Sequence, residues 1–355
     1  MTPTFDQLNT LLERATNTFD VFGPLGGDQS VALRRRFREF AQIAHPDHNQ
    51  RREAEATALF RALQHWLQIA EQEIACGSYG QTTRFVVESR TRRYTIDRAP
   101  LTGDLADLFG ADMDGQRVLL KAARSERNAD LLRAEAEALR TLARALDNQP
   151  VRAHFPTLVE QFQLSDAAGR RRMTNVLREE VEFVTLETVV RAYPRGLPLA
   201  DAAWMFNRML TALAVAHASG VVHGAVLLPH VLIRPIDHNG MLIDWCYSVA
   251  HGSSVRSVSP AWRGDYPPEV LARQPATPAT DIFMAARCMV RLLGGTGELA
   301  SLPKGTPPAM RRLLQVCLLP APARRPDNVW PLFDDFAVIL DGLYGPPTFR
   351  AFSIP

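Results

Sequence analysis

The chain has 355 residues, 46% hydrophobic and 22% charged, a balance that supplies ample core and excludes a generally disordered protein. Lys and Arg number 40 against 38 Asp and Glu, and the net charge of +2 gives no overall basic excess to argue for nucleic acid or a membrane as partner. Four cysteines without CxxC spacing (Cys76, Cys246, Cys288, Cys317) argue against a disulfide framework and a zinc site.

No segment approaches the roughly 20 apolar residues of a membrane span, and the N-terminus lacks a basic stretch followed by an apolar run. A reducing cytoplasm is the expected setting, and the length favours two domains over one. Only two of the 40 basic residues are lysine, Lys121 and Lys304. Against that arginine-rich background, a lysine inside an apolar run is informative.

Helical periodicity comes first. Leu33, Phe37, Phe40, Ala41 and Ala44 recur on one face of a helix from about Val31 to Ala44, with Asp28 or Ser30 as candidate caps and Arg34, Arg35 and Arg38 on the other face. Ala56, Leu59, Phe60, Leu63, Leu67 and Ala70 write a second helix. Between them, His45-Pro46-Asp47 forms a short loop in which Pro46 ends the first helix. Two amphipathic helices so joined form a hairpin, because each buries its stripe against the other.

This stretch resembles the J domain of DnaJ-type co-chaperones. The resemblance is carried by DVFGPLGG, the arginine-bearing helix, the loop AHPDHN and the returning helix ALFRALQHWLQIA. It implies docking onto a DnaK-type heat-shock ATPase and stimulation of its ATP hydrolysis, with His45, Pro46, Asp47, Arg34, Arg35 and Arg38 as the docking residues. His48 departs from the family, which usually has lysine there. The plainer alternative is a helical hairpin in which His45 caps a helix and the arginines form a solvated face.

A glycine-rich and hydroxyl-rich break, GSYGQTT, marks a boundary near 76–83. Arg84 to Glu88, Tyr94 to Ile96 and Val118 to Lys121 read as strands, Ala129 to Leu142 as a helix, and Phe155 to Leu164 and Met173 to Leu177 as strands. The chain turns helical after Leu199. A small sheet with one helix before a helical half resembles the two-lobed protein-kinase fold. The motifs follow in order: VLLK ending at Lys121, LLRAEAEAL with Glu135 (or, less favourably, Glu137) as its partner, VVHGAVLLPHVLI over the catalytic loop, LIDWCYS, DYPPEVL, the helix that begins at Asp281, and PAPARRP.

The expected fold class is α+β. An all-α helical-hairpin J domain covers 1–76, a linker and leading strand 77–93, a two-lobed protein-kinase-like fold 94–345 (small lobe about 94–182, large lobe about 183–345) and a tail 346–355. The resemblance implies Lys121, Glu135, Asp244 and Gly103 as candidate nucleotide-binding residues, with Asp244 on magnesium, and Glu269, Asp281 and Arg325 as structural. Its departures are as informative. Counting from His223, Ala225 stands where the catalytic aspartate belongs, Leu227 where a lysine often follows and His230 where the second metal ligand belongs. TGDLADLFG offers Gly103 and Gly110 but no G-x-G-x-x-G. His223 and His230, seven residues apart, match no recognised metal spacing.

No catalytic residue is assigned, so the kinase-like part resembles a pseudokinase. The expected function is a DnaJ-type co-chaperone whose pseudokinase domain recognises a client protein or a nucleotide, with ATP and magnesium as the only candidate cofactors. The alternatives are an atypical serine/threonine protein kinase with an attached J domain, and a non-catalytic scaffold. Arg170-Arg171-Arg172 reads as a hairpin tip or a phosphate patch, and GPPTFRAFSIP as a tail that packs back or binds a partner.

Overall fold

The computed structural model describes residues 3–15, 17–75, 79–80, 85–96, 100–165 and 171–354. Cys76, Arg84, Arg170 and most of the expected boundary at 76–83 lie outside them. The chain divides into two compact units, residues 1–101 with 109–117, and residues 102–108 with 118–355.

The first unit opens with α1 (Phe5–Arg14), α2 (Thr18–Phe22), α3 (Gln29–Ala44) and α4 (Glu53–Ala75). Of the two candidate caps of α3, Asp28 is the one used: its carboxylate accepts from Ser30 N at 2.9 Å and Val31 N at 3.2 Å. Leu33, Phe40 and Ala44 of α3 and Leu59, Leu63 and Ala70 of α4 share one core with Leu8, Val21 and Phe22, while Arg34, Arg35 and Arg38 are exposed. Tyr79 closes that core, its hydroxyl donating to Gly23 O at 2.8 Å. Next come β1 (Phe85–Glu88), β2 (Arg93–Ile96), β3 (Leu101–Thr102, its first residue) and β4 (Ala106–Met113, from Phe109 onward). β1 runs antiparallel to β2, and Ile96 of β2 lies opposite Ala111 of β4.

From Ala106 onward TGDLADLFG is strand, with Ala106, Gly110 and Ala111 buried. Small residues and the aspartates 107 and 112 hide its alternation. The strand ends in a tight turn at Asp114 (φ 52°) and Gly115 (φ 82°), a conformation that Asp-Gly pairs favour.

The second unit holds β5 (Gln116–Ala123, apart from its first two residues), α5 (Ala129–Ala145), β6 (Leu158–Ser165) and β7 (Arg171–Arg178), with β7 antiparallel to both β5 and β6. Short β8 (Val184–Thr185) leads into α6 (Leu186–Ala192) and α7 (Leu199–Ala218). Paired short strands follow: β9 (Val221–Val222) with β12 (Val249–Ala250), and β10 (Val231–Arg234) with β11 (Asn239–Leu242). The rest is helical: α8 (Pro268–Leu271), α9 (Pro278–Leu292), α10 (Pro308–Cys317) and α11 (Val329–Tyr344). Nearly all of α9 is buried, as a helix at the centre of a large core must be.

The tail packs back. Arg350 Nε donates to Asp201 Oδ1 at 3.1 Å, Tyr193 Oη to Ser353 O at 2.6 Å, and Phe352 lies edge-on to Trp204. Among the described residues no helix is long and apolar enough to cross a membrane.

Candidate functional site

Lys121 enters the second unit from the apolar strand β5, whose side chains from Val118 to Ala123 are largely buried. Its Nζ donates to Glu135 Oε1 at 2.8 Å and to Asp244 Oδ1, and lies 3.7 Å from Cys246 Sγ. Burial alone would lower its pKa. The charges of Asp244 and Glu135 overcome that and hold the ammonium well above its ordinary range. Glu135 is buried, while Glu137 on the same helix is exposed. The other oxygen of Glu135 accepts from Asn175 Nδ2 at 2.8 Å, and Asn175 also receives Gln161 Nε2 at 2.7 Å.

Asp244 takes the left-handed conformation, φ 62°, which outside glycine is adopted mainly by asparagine and aspartate. It caps the short turn Trp245–Tyr247. Its second oxygen lies 3.3 Å from His230 Nε2, and against the opposing effect of burial the Lys121 ammonium, with the neighbouring His230 ring, holds the carboxyl well below its ordinary range. His230 Nδ1 faces Ala225 O at 2.9 Å, so the ring meets an acceptor on both sides, and it stacks on Tyr247.

The segment between β9 and β10 is held from below by Asp281. Its carboxylate accepts from His223 N and Gly224 N, both at 2.8 Å, and pairs with His217 Nε2 at 2.8 Å. His223 Nε2 donates to Ile243 O at 2.9 Å, and its Nδ1 accepts from Ala225 N at 3.3 Å. Burial lowers its pKa to about 4, so it is a neutral hydrogen-bonding ring and not a proton shuttle near neutrality. Gly224 sits at φ 74°, and a Cβ there would meet Tyr247 O at 2.8 Å. Ala225 is fully buried, and its methyl can neither accept a proton nor orient a hydroxyl. Leu227 is buried as well.

Gly103 is drawn into a tight turn. Its N donates to Ala106 O at 3.0 Å and its carbonyl accepts from Arg124 Nη1 at 3.1 Å. Next to it, Asp104 Oδ2 accepts from Ser259 Oγ at 2.6 Å. Glu269 and Arg325 form a buried bidentate pair at 2.6 and 3.1 Å, joined by Thr280, with the guanidinium over Phe283. Asp244 is thus brought together with Lys121, Glu135 and His230, whereas Glu269 and Arg325 pair with each other and Asp281 binds His217, His223 and Gly224.

Magnesium takes oxygen ligands in near-octahedral geometry. Here the two positions offer one carboxylate, already engaged by Lys121 and His230, and one imidazole nitrogen. Glu135, Asp244 and Cys246 hold ligand atoms within 4.8 Å of one another, but the Lys121 ammonium bonds both carboxylates and lies beside the thiol. The arrangement as built does not fit magnesium: a fixed ammonium fills the place of a cation.

In the first unit, His45 caps the end of α3 and its Nδ1 accepts from Asp47 N at 3.2 Å. Asn49 Nδ2 donates to Ile43 O at 2.8 Å and His45 O at 3.0 Å, which satisfies the last carbonyls of the helix. Pro46 starts a single 3-10 turn, Pro46–His48. The His45 ring packs edge-on against Phe60, and the Asp47 side chain is 83% exposed.

Asn175, Gln161, His217, Cys246 and the Asp104 to Ser259 bond have no counterpart in the sequence reading. A signal existed for Asn175 alone, as an amide inside the apolar run Met173 to Leu177.

No family model matches the chain. It is 27% identical over 277 residues to serine/threonine-protein kinase PknA of Mycobacterium tuberculosis, and equally to PknA of Mycobacterium bovis, across 70% of this chain and 62% of theirs. It is also 27% identical over 177 residues to serine/threonine-protein kinase F of Synechocystis, across 47% of this chain and 34% of that protein. The chain thus spans less than two thirds of the length of these relatives. Together with the mixed helical and antiparallel-sheet architecture, they support a protein-kinase-like domain in this chain.

Proposed function

We propose that the chain is a recruitment protein: its helical unit docks on and stimulates a DnaK-type ATPase, and its kinase-like domain is a binding surface for a client protein that transfers no phosphate. The observation that carries the first half is the His45-Pro46-Asp47 loop, capped at both ends, with the Asp47 carboxylate open to solvent. The second half rests on the buried methyl of Ala225 and on a Lys121 spent on Glu135 and Asp244. Single-turnover ATP hydrolysis by a DnaK-type protein, with and without the full chain, tests the docking. No acceleration would end it.

The relatives favour a second reading, an atypical serine/threonine kinase with an attached J-like hairpin. That reading needs ATP with magnesium, and it needs Asp244 to exchange Lys121 and His230 for the metal. Radiolabelled phosphate transferred from ATP to protein by the wild type, and lost in Asp244→Ala, would establish it over the first.

A further inference from the structure

The segment between β12 and α8 is tied down at several points. Ser254 Oγ donates to Arg273 O at 2.8 Å, Ser254 bridges to Pro275, and Arg273 itself is fixed in the left-handed conformation, φ 55°, just after α8. Val255 and Val270 are buried beneath. Over them opens a cavity of about 140 Å³ lined by Arg256, Arg263, Arg273 and Ser257, with no carboxylate in its wall. Arg256 reaches Asp130 at 3.2 Å. Among the described residues, no acidic group stands within ion-pair distance of Arg263 or Arg273.

Three guanidinium groups around one cavity repel one another, and a concave wall of one sign focuses its field on whatever enters. An oxyanion relieves that repulsion, and the planar forked donors of arginine match a carboxylate or phosphate better than an ammonium does. Size narrows the ligand further. Cofactor and nucleotide pockets run to roughly 300–1,000 Å³, so this cavity has room for one acidic group and does not enclose a whole nucleotide. The buried valines give its floor an affinity for an apolar neighbour of that group.

We propose that this pocket receives an acidic side chain, aspartate, glutamate or phosphoserine, carried with flanking apolar residues on an extended segment of a partner protein. The proposal rests on the reading of the kinase-like domain as a client surface and gives that client a chemical class. It involves neither the His45-Pro46-Asp47 loop nor the Lys121 cluster, so a failure of ATPase stimulation leaves it standing.

The test is fluorescence anisotropy with the full chain and no nucleotide present, using a labelled nonapeptide with central aspartates between leucines, its phosphoserine counterpart and its asparagine counterpart. The acidic peptides are expected to bind, the asparagine peptide not, and added salt to weaken binding. The double variant Arg263→Gln with Arg273→Gln, folded by circular dichroism, is expected to lose at least about tenfold in affinity. Tighter binding of the phosphoserine peptide assigns phosphate as the preferred source of the oxyanion, and equal binding assigns carboxylate. Binding of the asparagine peptide as tightly as the others, unchanged binding in the double variant, equal binding of a polythymidylate oligomer, or no binding at all would overturn the proposal.

Discussion

Two polar clusters in this chain carry its recognisable motifs, and they are built to opposite rules. In the His45-Pro46-Asp47 loop every hydrogen bond is local, made to backbone a few residues away, and among the described residues the Asp47 carboxylate's one ion-pair partner is the His45 ring, 3.6 Å away. Around Lys121 the bonds join β5, α5, β7 and the turn after β11, and the side chains of Lys121 and Glu135 are 5% and 1% exposed. An exposed, unspent carboxylate contributes little to the fold and is available to a partner. Buried charges matched to one another belong to the fold, and little of them remains for a ligand.

Substitution separates the two rules. Asp47→Asn is expected to abolish stimulation of a DnaK-type ATPase while changing stability by no more than about 0.5 kcal/mol, as exposed substitutions do. Hydrolysis rates and urea melts on one preparation read both. A large stability loss would show that the loop is not free of the fold. Lys121→Met is expected to do the reverse, costing about 3–5 kcal/mol, because it leaves Glu135 and Asp244 as uncompensated charges. Adding Glu135→Leu and Asp244→Asn to Lys121→Met is expected to recover most of that loss. A Lys121→Met chain as stable as wild type would mean the cluster is open to solvent and ready for a ligand.

The same contrast explains what could be read from sequence. Lys121 and Glu135 were legible because lysine is rare in this chain and both sit on strongly patterned elements, and the helical hairpin because its stripes repeat at helical spacing. Asn175 stood out only as an amide in its run, and its role did not. β7 is buried on both faces from Met173 to Leu177, so no alternation assigns that amide a face, and only the pairing of β5 with β7 sets it opposite Lys121. β4 was hidden by its glycine and aspartates. The Asp265 site, where Arg287 and Arg291 converge at 2.9 to 3.1 Å, and the Asp104 to Ser259 bond join residues far apart in sequence that no local pattern relates.

Acid is expected to act on the buried cluster in two windows. His223 has a folded pKa of about 4 against an ordinary 6.5, so the unfolded chain binds the proton first. Its contribution is intact above pH 6.5 and is lost as the pH falls toward 4, by up to about 3 kcal/mol. The burial-lowered rings of His154 and His238 add to the slope with the same sign. Asp244, held below its ordinary range, acts in a lower window: its contribution is present above the unfolded carboxylate pKa and is lost as the pH falls further. Urea melts between pH 4 and 7 should show a shallower dependence in His223→Asn than in wild type. An unchanged slope would mean that His223 is reached by solvent before the fold opens.

The smallest expected effect tests whether the open loop must also be rigid. Asn49 spends its amide on Ile43 O and His45 O, so Asn49→Ala removes one bond from each of two carbonyls at the end of α3 and changes no residue of the triplet. Both carbonyls lie near the surface, where water replaces much of what is lost, and the stability cost is expected to be about 1 kcal/mol. The loop keeps its own bonds, His45 Nδ1 from Asp47 N and His48 N to His45 O at 3.1 Å, but loses the tie that fixes it to the helix. Amide exchange at His48 should quicken, and stimulation of the DnaK-type ATPase should fall a few fold, between wild type and Asp47→Asn. Faster exchange with full stimulation would show that the partner needs the Asp47 carboxylate but not its fixed position. Unchanged exchange would show that the 3-10 turn alone holds the loop.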